Sequence, residues 1–193
     1  GYVCGDSGKF LKTTNCGVNW SIQSTGTENL YSISFINSLT GYMTARVGSM
    51  KTTDGGNTWS SFQVGYGGQE NYVKFVNSNT GYVYGKYGPI SRSTNGGVNW
   101  YPWCSYQLFF GNTFYDISIV DSVTAYVCGA QGWILRCNGQ QPNPSAIHIG
   151  GSLTPLSRIT FTSALTGAIM GNSSLLFVTT NGGDKWNISL CGT

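Results

Sequence analysis

Charge is scarce in this chain. Asp, Glu, Lys and Arg make up 9% of its 193 residues, against roughly 25% in an ordinary soluble domain; Asn, Ser and Thr carry the polar surface instead, a composition that suits an extracellular setting. Ten basic residues against seven acidic ones leave a net charge of +3, and the basic residues are scattered. That excludes the Lys/Arg stripe with interleaved aromatics of a nucleic-acid binder. The single histidine, His148, has no ligand-spaced companion and no Cys-x-x-Cys pair occurs, so no metal and no cofactor is expected. No apolar run approaches the roughly 20 residues that span a bilayer as a helix. Five prolines and the lack of a Gly-X-Y period exclude a Pro-rich tract and collagen. The chain opens at Gly1 rather than Met, which implies processing or truncation.

What is abundant is glycine, 28 residues, together with 14% aromatic and 40% hydrophobic residues, enough to drive burial. Many of the glycines fall in a turn that recurs along the chain. It reads Thr13-Thr14-Asn15-Cys16-Gly17-Val18-Asn19-Trp20, Thr52-Thr53-Asp54-Gly55-Gly56-Asn57-Thr58-Trp59, Ser93-Thr94-Asn95-Gly96-Gly97-Val98-Asn99-Trp100 and Thr179-Thr180-Asn181-Gly182-Gly183-Asp184-Lys185-Trp186. The Trp spacings are 39, 41 and 86; the last, twice 43, implies a degenerate copy at Arg136-Cys137-Asn138-Gly139, overwritten by Gln140-Gln141-Pro142-Asn143-Pro144. Before each turn stands a second element: Gly1 to Gly5, Gly41-Tyr42-Met43, Gly81 to Gly85, Ala125 to Gly129 and Gly167 to Gly171. Before the last four of these runs an alternating third, Leu30 to Phe35, Tyr72 to Phe75, Tyr115 to Ile119 and Ser157 to Phe161. Short β-branched or aromatic segments bounded by turn residues read as strands, and the residues after each Trp supply a weaker fourth. An Asn or Asp side chain closes the turn, Gly accepts positive φ, and the Trp packs between neighbouring units.

Four strands per repeat of about 40 residues define a β-propeller blade. The expected fold is therefore all-β: one β-propeller domain over residues 1-193 of five four-stranded blades, with repeats 1-28, 29-69, 70-112, 113-155 and 156-193. The first blade lacks the innermost strand that residues 29 to 38 provide for the second. Three readings stand open: a three-stranded blade, a truncation with the strand outside the chain, or a strand donated by a neighbour.

The pattern Thr-x-Asp-Gly-Gly-x-Thr-Trp at residues 52 to 59 resembles the Asp-box, or BNR, repeat. With the Gly-Tyr-Val-x-Gly elements and segments such as Leu11-Lys12-Thr13, the whole chain is similar to the propeller family of photosystem II assembly and stability factors. Three of the four clear copies have Asn (Asn15, Asn95, Asn181) where that family prefers Asp. Lys12, Lys51, Arg92 and Arg136 share one repeat position, and the resemblance implies a basic patch for an acidic partner; the alternative is that each stem packs along a blade edge. Among the aromatics, Trp103, Trp133, Tyr66, Tyr87 and Phe110 fall in turns or irregular stretches and are candidates for stacking on sugar or binding protein, with packing as the alternative. Residues 65 to 70 and 104 to 113 are insertions, where propellers carry specificity.

The repeat frame also narrows the cysteine pairings. Cys104 with Cys137 and Cys16 with Cys191 stand in the same relation, a fourth strand joined to the third-strand end of the next blade, the latter pair either closing the ring or linking blade five of one copy to blade one of another, while Cys4 and Cys128 read as small buried hydrophobes. Sequons at Asn19, Asn172 and Asn187 mark glycosylation candidates. Catalytic residues are not expected: Asp6, Glu28, Asp54, Glu70, Asp116, Asp121 and Asp184 suggest no facing pair for a xyloglucanase-like mechanism, a sialidase-like arginine cluster is lacking, and no Ser or Cys triad is in view. The expected function is a non-catalytic secreted binding or assembly module for a protein or glycan partner. The alternative is a subunit of an extracellular filament, its first blade completed by a strand from a neighbouring copy.

Overall fold

The computed structural model describes residues 1–64, 69–86, 89–104, 113–139, 144–149, 154–172 and 175–190, with backbone alone for residues 69–71 and 190. Tyr66, Tyr87, Phe110 and Cys191 lie outside the described residues. The chain divides into two compact units, Gly1–Pro102 and Trp103–Thr193.

All the sheets are antiparallel meanders. The first holds β1 (Tyr2–Cys4), β2 (Lys9–Lys12) and β3 (Ser21–Ser24). The second holds β4 (Leu30–Phe35), β5 (Gly41–Ala45), β6 (Ser49–Thr52) and β7 (Ser60–Phe62). In the third are β8 (Gln69–Phe75), β9 (Gly81–Lys86), β10 (Ile90–Ser93) and β11 (Tyr101–Cys104). The fourth holds β12 (Phe114–Ile119), β13 (Thr124–Gly129), β14 (Trp133–Asn138) and β15 (Ser145–His148), with a 3-10 turn at Ala130–Gly132 that the sequence reading did not anticipate. The fifth holds β16 (Leu156–Phe161), β17 (Gly167–Gly171), β18 (Leu175–Thr179) and β19 (Asn187–Leu190).

Burial is deepest along β5, β9 and β13. Every residue of β5 is buried, as are the first five of β9 and the last five of β13. In the first unit Phe10, Leu30, Met43 and Ala45 pack together, and so do Tyr42, Val64, Val73, Val83 and Trp100. Tyr126, Cys128, Ile134, Leu156, Ile159, Ile169 and Phe177 form a core of the second unit. Packing of one sheet on the next is reinforced by hydroxyls. Ser34 Oγ accepts from the Phe75 N–H at 3.1 Å, and in the second unit Ser118 Oγ accepts from the Phe161 N–H at 2.9 Å.

The short loops between first and second strands are closed by one polar side chain. Asn37 Oδ1 accepts from the N–H groups of Leu39 and Thr40, Asn77 Oδ1 from Asn79 and Thr80, Asp121 Oδ1 from Val123 and Thr124, and Ser163 Oγ from Leu165 and Thr166. The repeated turn then docks on that loop: the N–H of Gly55, Gly96, Gly139 and Gly182 reaches the carbonyl of Leu39, Asn79, Val123 and Leu165 at 2.6–2.8 Å.

Candidate functional site

The repeated turn is occupied by its own backbone. Thr52 Oγ1 accepts from the Gly56 N–H at 2.9 Å and donates to Asp54 Oδ1 at 2.8 Å, while Asp54 Oδ1 accepts from the Thr58 N–H at 2.9 Å. The same bonds recur through Thr13, Asn15, Gly17 and Asn19, through Ser93, Asn95, Gly97 and Asn99, and through Thr179, Asn181, Gly183 and Lys185. The Thr58 hydroxyl, together with its N–H, holds the Asp54 carboxyl down from 3.8 to about 2, so this carboxylate is a structural acceptor. Gly55, Gly96 and Gly182 have φ between +66° and +70°, and Cys16 adopts +57° at the same position.

Most other carboxylates have local partners too. Glu28 pairs with Arg46, Asp184 with Arg136, Asp116 accepts from the N–H groups of Ile117 and Ile159, and Asp121 from the loop described above. Backbone bonds from Val123 and Thr124 hold Asp121 below the usual carboxylate range, against a small opposing effect of burial. Among the described residues no group of three or more His, Cys, Asp or Glu side chains is placed to hold a metal ion.

The four basic residues at the shared repeat position each lie over a tyrosine ring of the neighbouring strand: Lys12 over Tyr2 at 5.8 Å, Lys51 over Tyr42 at 5.2 Å, Arg92 over Tyr82 at 5.9 Å and Arg136 over Tyr126 at 5.7 Å. Register explains it, since each is the direct cross-strand partner of that tyrosine. Lys12 Nζ also donates to the Gly55 carbonyl at 2.7 Å. All four side chains are half-buried, and each has a packing role of the cation–π kind. Trp133 is half-buried and meets the His148 ring edge-on at 4.7 Å, with His148 Nε2 2.7 Å from the Gln131 carbonyl; Trp103 is half-buried as well. Asn19, Asn172 and Asn187 are exposed.

Of the expected cysteine pairs, Cys104–Cys137 forms. Cys16 carries a free, exposed thiol and Cys128 is free and buried, while Cys4 is half-buried rather than fully enclosed. Burial pushes the Cys128 thiol far up and the Cys4 thiol up.

The feature that sets one region apart is the edge of β1. Pairing aligns Tyr2 and Val3 with Lys12 and Leu11 as it aligns Tyr42 and Met43 with Lys51 and Met50, so β1 is the counterpart of β5, β9, β13 and β17. Those four are flanked by β4, β8, β12 and β16; among the described residues β1 has no such neighbour. Burial registers the difference. Met43, Val83, Val127 and Ile169 are 0–1% exposed, and Val3 at the equivalent position is 49% exposed. Gly1 exchanges both backbone bonds with Thr13, at 2.8 and 2.9 Å. By strand alternation Val3 also bonds toward β2, which turns the backbone groups of Tyr2 and Cys4 outward. The repeat count leads to the expectation of an incomplete first blade, while the aromatic lining of this edge becomes visible only through register.

Five successive antiparallel meanders are consistent with a β-propeller of five blades, and solved structures of that class share the fold. YCF48 bound to D1 peptide superposes with a TM-score of 0.65 at 14% identity, covering 98% of this chain and 77% of that one. The WD40 repeats of RRP9 give 0.74 at 10% identity over 97% of this chain and 62% of that one, and the GH74 enzyme of Niastella koreensis gives 0.72 at 19% over 95% and 34%. At such identities the likeness is one of fold. No family model matches the chain, and neither does any curated protein.

Proposed function

We propose that the chain is a single, secreted, non-catalytic β-propeller module built on Asp-box turns that binds a protein partner, and that the edge of β1 accepts an added strand. The observation that carries this reading is the exposure of Val3 at a position buried in every other sheet. An unpaired strand edge presents N–H and C=O groups ready for an added strand, and here an apolar side chain waits beside them. Commitment of Asp54, Asp116, Asp121 and Asp184 to local partners supports a non-catalytic role. A disulfide, exposed sequon asparagines at 19, 172 and 187 and the low charge support an oxidising, extracellular setting. Trp103, Trp133 and the basic row of Lys12, Lys51, Arg92 and Arg136 are secondary candidates for partner contact, as their half-burial leaves part of each side chain in water.

Panning a display library of extended ten-residue peptides against the wild type and a Cys4→Pro variant tests the reading. Proline removes an outward N–H and blocks pairing at an edge, so selected peptides should lose binding to Cys4→Pro; equal binding to both proteins would sink strand addition at β1.

A second reading, the filament subunit, is favoured by one observation: the missing strand is of a kind this chain itself makes four times, as β4, β8, β12 and β16. A neighbour's strand entering head-to-tail propagates an open chain unless the rotation closes. Light scattering and negative-stain microscopy at micromolar concentration distinguish the two, since a monodisperse monomer excludes the filament.

A further inference from the structure

The degenerate turn of the fourth sheet carries an Asn-Gly step, Asn138-Gly139, beside those of the regular turns at Asn95-Gly96 and Asn181-Gly182. An asparagine before glycine is able to close on itself, because no Cβ on the glycine blocks the approach of its nitrogen to the side-chain amide. In the regular turns that amide is tied twice. Asn95 Oδ1 accepts from the Ser93 hydroxyl at 3.0 Å and from the Asn99 N–H at 2.9 Å; Asn181 Oδ1 accepts from the Thr179 hydroxyl at 2.9 Å and from the Lys185 N–H at 3.0 Å. Gly96 is half-buried and Gly182 buried, and both are held left-handed, at φ +66° and +70°. Bringing either amide onto the glycine nitrogen breaks both side-chain bonds and with them the turn.

At Asn138 those ties are gone. Register puts Cys137 where the regular turns carry Ser93 and Thr179, and its sulfur is bonded to Cys104, so no hydroxyl is there to donate. Among the described residues the Asn138 side chain has no hydrogen-bond partner. Asn138 and Gly139 are both exposed, and Gly139 lies outside the left-handed region. The Gly139 N–H donates to the Val123 carbonyl at 2.6 Å, but Gly96 and Gly182 make the same bond at 2.8 Å. What separates the three sites is the freedom of the amide and the access of water to the glycine.

We infer that Asn138 is a site of covalent self-modification, converting through a cyclic imide, and that the regular turns shield Asn95 and Asn181 from the same reaction. The Gly139 nitrogen gives its proton to water or hydroxide and bonds to Asn138 Cγ; the Cγ–Nδ2 bond breaks, and Nδ2 takes up a proton and leaves as ammonia. Water then opens the imide. Attack at Cγ gives aspartate on an unaltered backbone, whereas attack at the main-chain carbonyl carbon leaves the chain running through Cγ as isoaspartate. Nothing is oxidised or reduced, and water is the sole co-reactant. While the imide stands, its nitrogen carries no hydrogen, so the bond to Val123 is lost. Asn138 is the last rung of the β13–β14 ladder, opposite Thr124, so the added backbone carbon falls at the ladder's end and leaves the rungs at Ile134 to Cys137 in place.

The test keeps the folded chain in mildly alkaline buffer at body temperature for weeks, then maps its peptides by mass spectrometry with electron-transfer fragmentation, which tells isoaspartate from aspartate. Asn138 should convert at least about tenfold faster than Asn95 or Asn181, since freeing either shielded amide breaks two hydrogen bonds. Held unfolded in denaturant, the chain should convert at all three sites at similar rates. Asn138→Gln, whose extra methylene prevents the five-membered ring, should remove the isoaspartate signal and leave circular dichroism and unfolding unchanged, as the Asn138 side chain holds no neighbour. Native rates at Asn95 or Asn181 equal to that at Asn138 overturn the inference, as does an intact Asn138 in folded protein whose unfolded form converts there. The same ranking in the unfolded chain would place the difference in flanking residues and overturn the shielding.

Discussion

The first and fourth sheets both depart from the repeat, in opposite ways. The fourth gives up its turn tryptophan, its inner-strand phenylalanine and the facing glycine at once, and carries Cys137 in a disulfide. The first retains Gly1, Tyr2 and Trp20, and among the described residues no strand pairs with β1 on the side where β4, β8, β12 and β16 pair in the other sheets. Coordinated replacement leaves a sheet whose second strand is buried, whereas in the first sheet Val3 stands half in water. Burial at a repeat position is thus set by the neighbouring strand and not by the residue, since valine is enclosed at position 127 and half in water at position 3.

The largest way to break the comparison is to remove the fourth sheet's compensation. Replacing Cys104 and Cys137 by serine should cost about 3–4 kcal/mol for a cross-link spanning 33 residues, read as a shift of the denaturant midpoint, whereas serine at the free Cys16 should change stability little. Next, Met43→Ala should cost about 3 kcal/mol, in the range for a fully buried Met, while Val3→Ala should change unfolding by less than about 0.5 kcal/mol; a large effect at Val3 in the isolated chain would mean that its edge is already covered. Alanine at Gly41 forces the Phe35 ring aside and should cost about 1–3 kcal/mol, while alanine at Gly1 should be nearly neutral. The smallest effect concerns acid. The folded Asp54 carboxyl titrates near 2, below its ordinary 3.8, so its contribution is full above about pH 4 and fades as pH falls toward 2. Asp54→Asn should flatten that part of the stability profile, because the three Asn turns do not titrate.

Much of this architecture is legible in the sequence because the repeat is chemically strict: Thr or Ser, then Asn or Asp, then a left-handed pair, then Trp, fixes a hairpin, and the spacing between copies counts the sheets. The same count leads to the expectation of a first blade without its innermost strand. Other features need register. Lys12 is ten residues from Tyr2 and Arg136 ten from Tyr126, so their stacking is invisible until the strands are paired. The link among Phe35, Gly41 and Trp59 joins residues 24 apart through contacts on one sheet face, and only its joint loss in the fourth sheet shows it to be a unit. Cys16 sits at a left-handed turn tip and carries a free, exposed thiol, while Cys191, its expected partner, lies outside the described residues.

The turns that use an amide where Asp54 uses a carboxylate have a consequence for ageing. Asn95 and Asn181 each precede a glycine, the sequence context most prone to slow hydrolysis of the side-chain amide. The product with an unaltered backbone is aspartate, and Asp54 shows that aspartate holds the same hydroxyl and N–H groups in the same geometry. Conversion to aspartate therefore lowers the isoelectric point while the turn keeps its hydrogen bonds, whereas conversion to isoaspartate, which adds a carbon to the backbone, adds the same charge and breaks the turn.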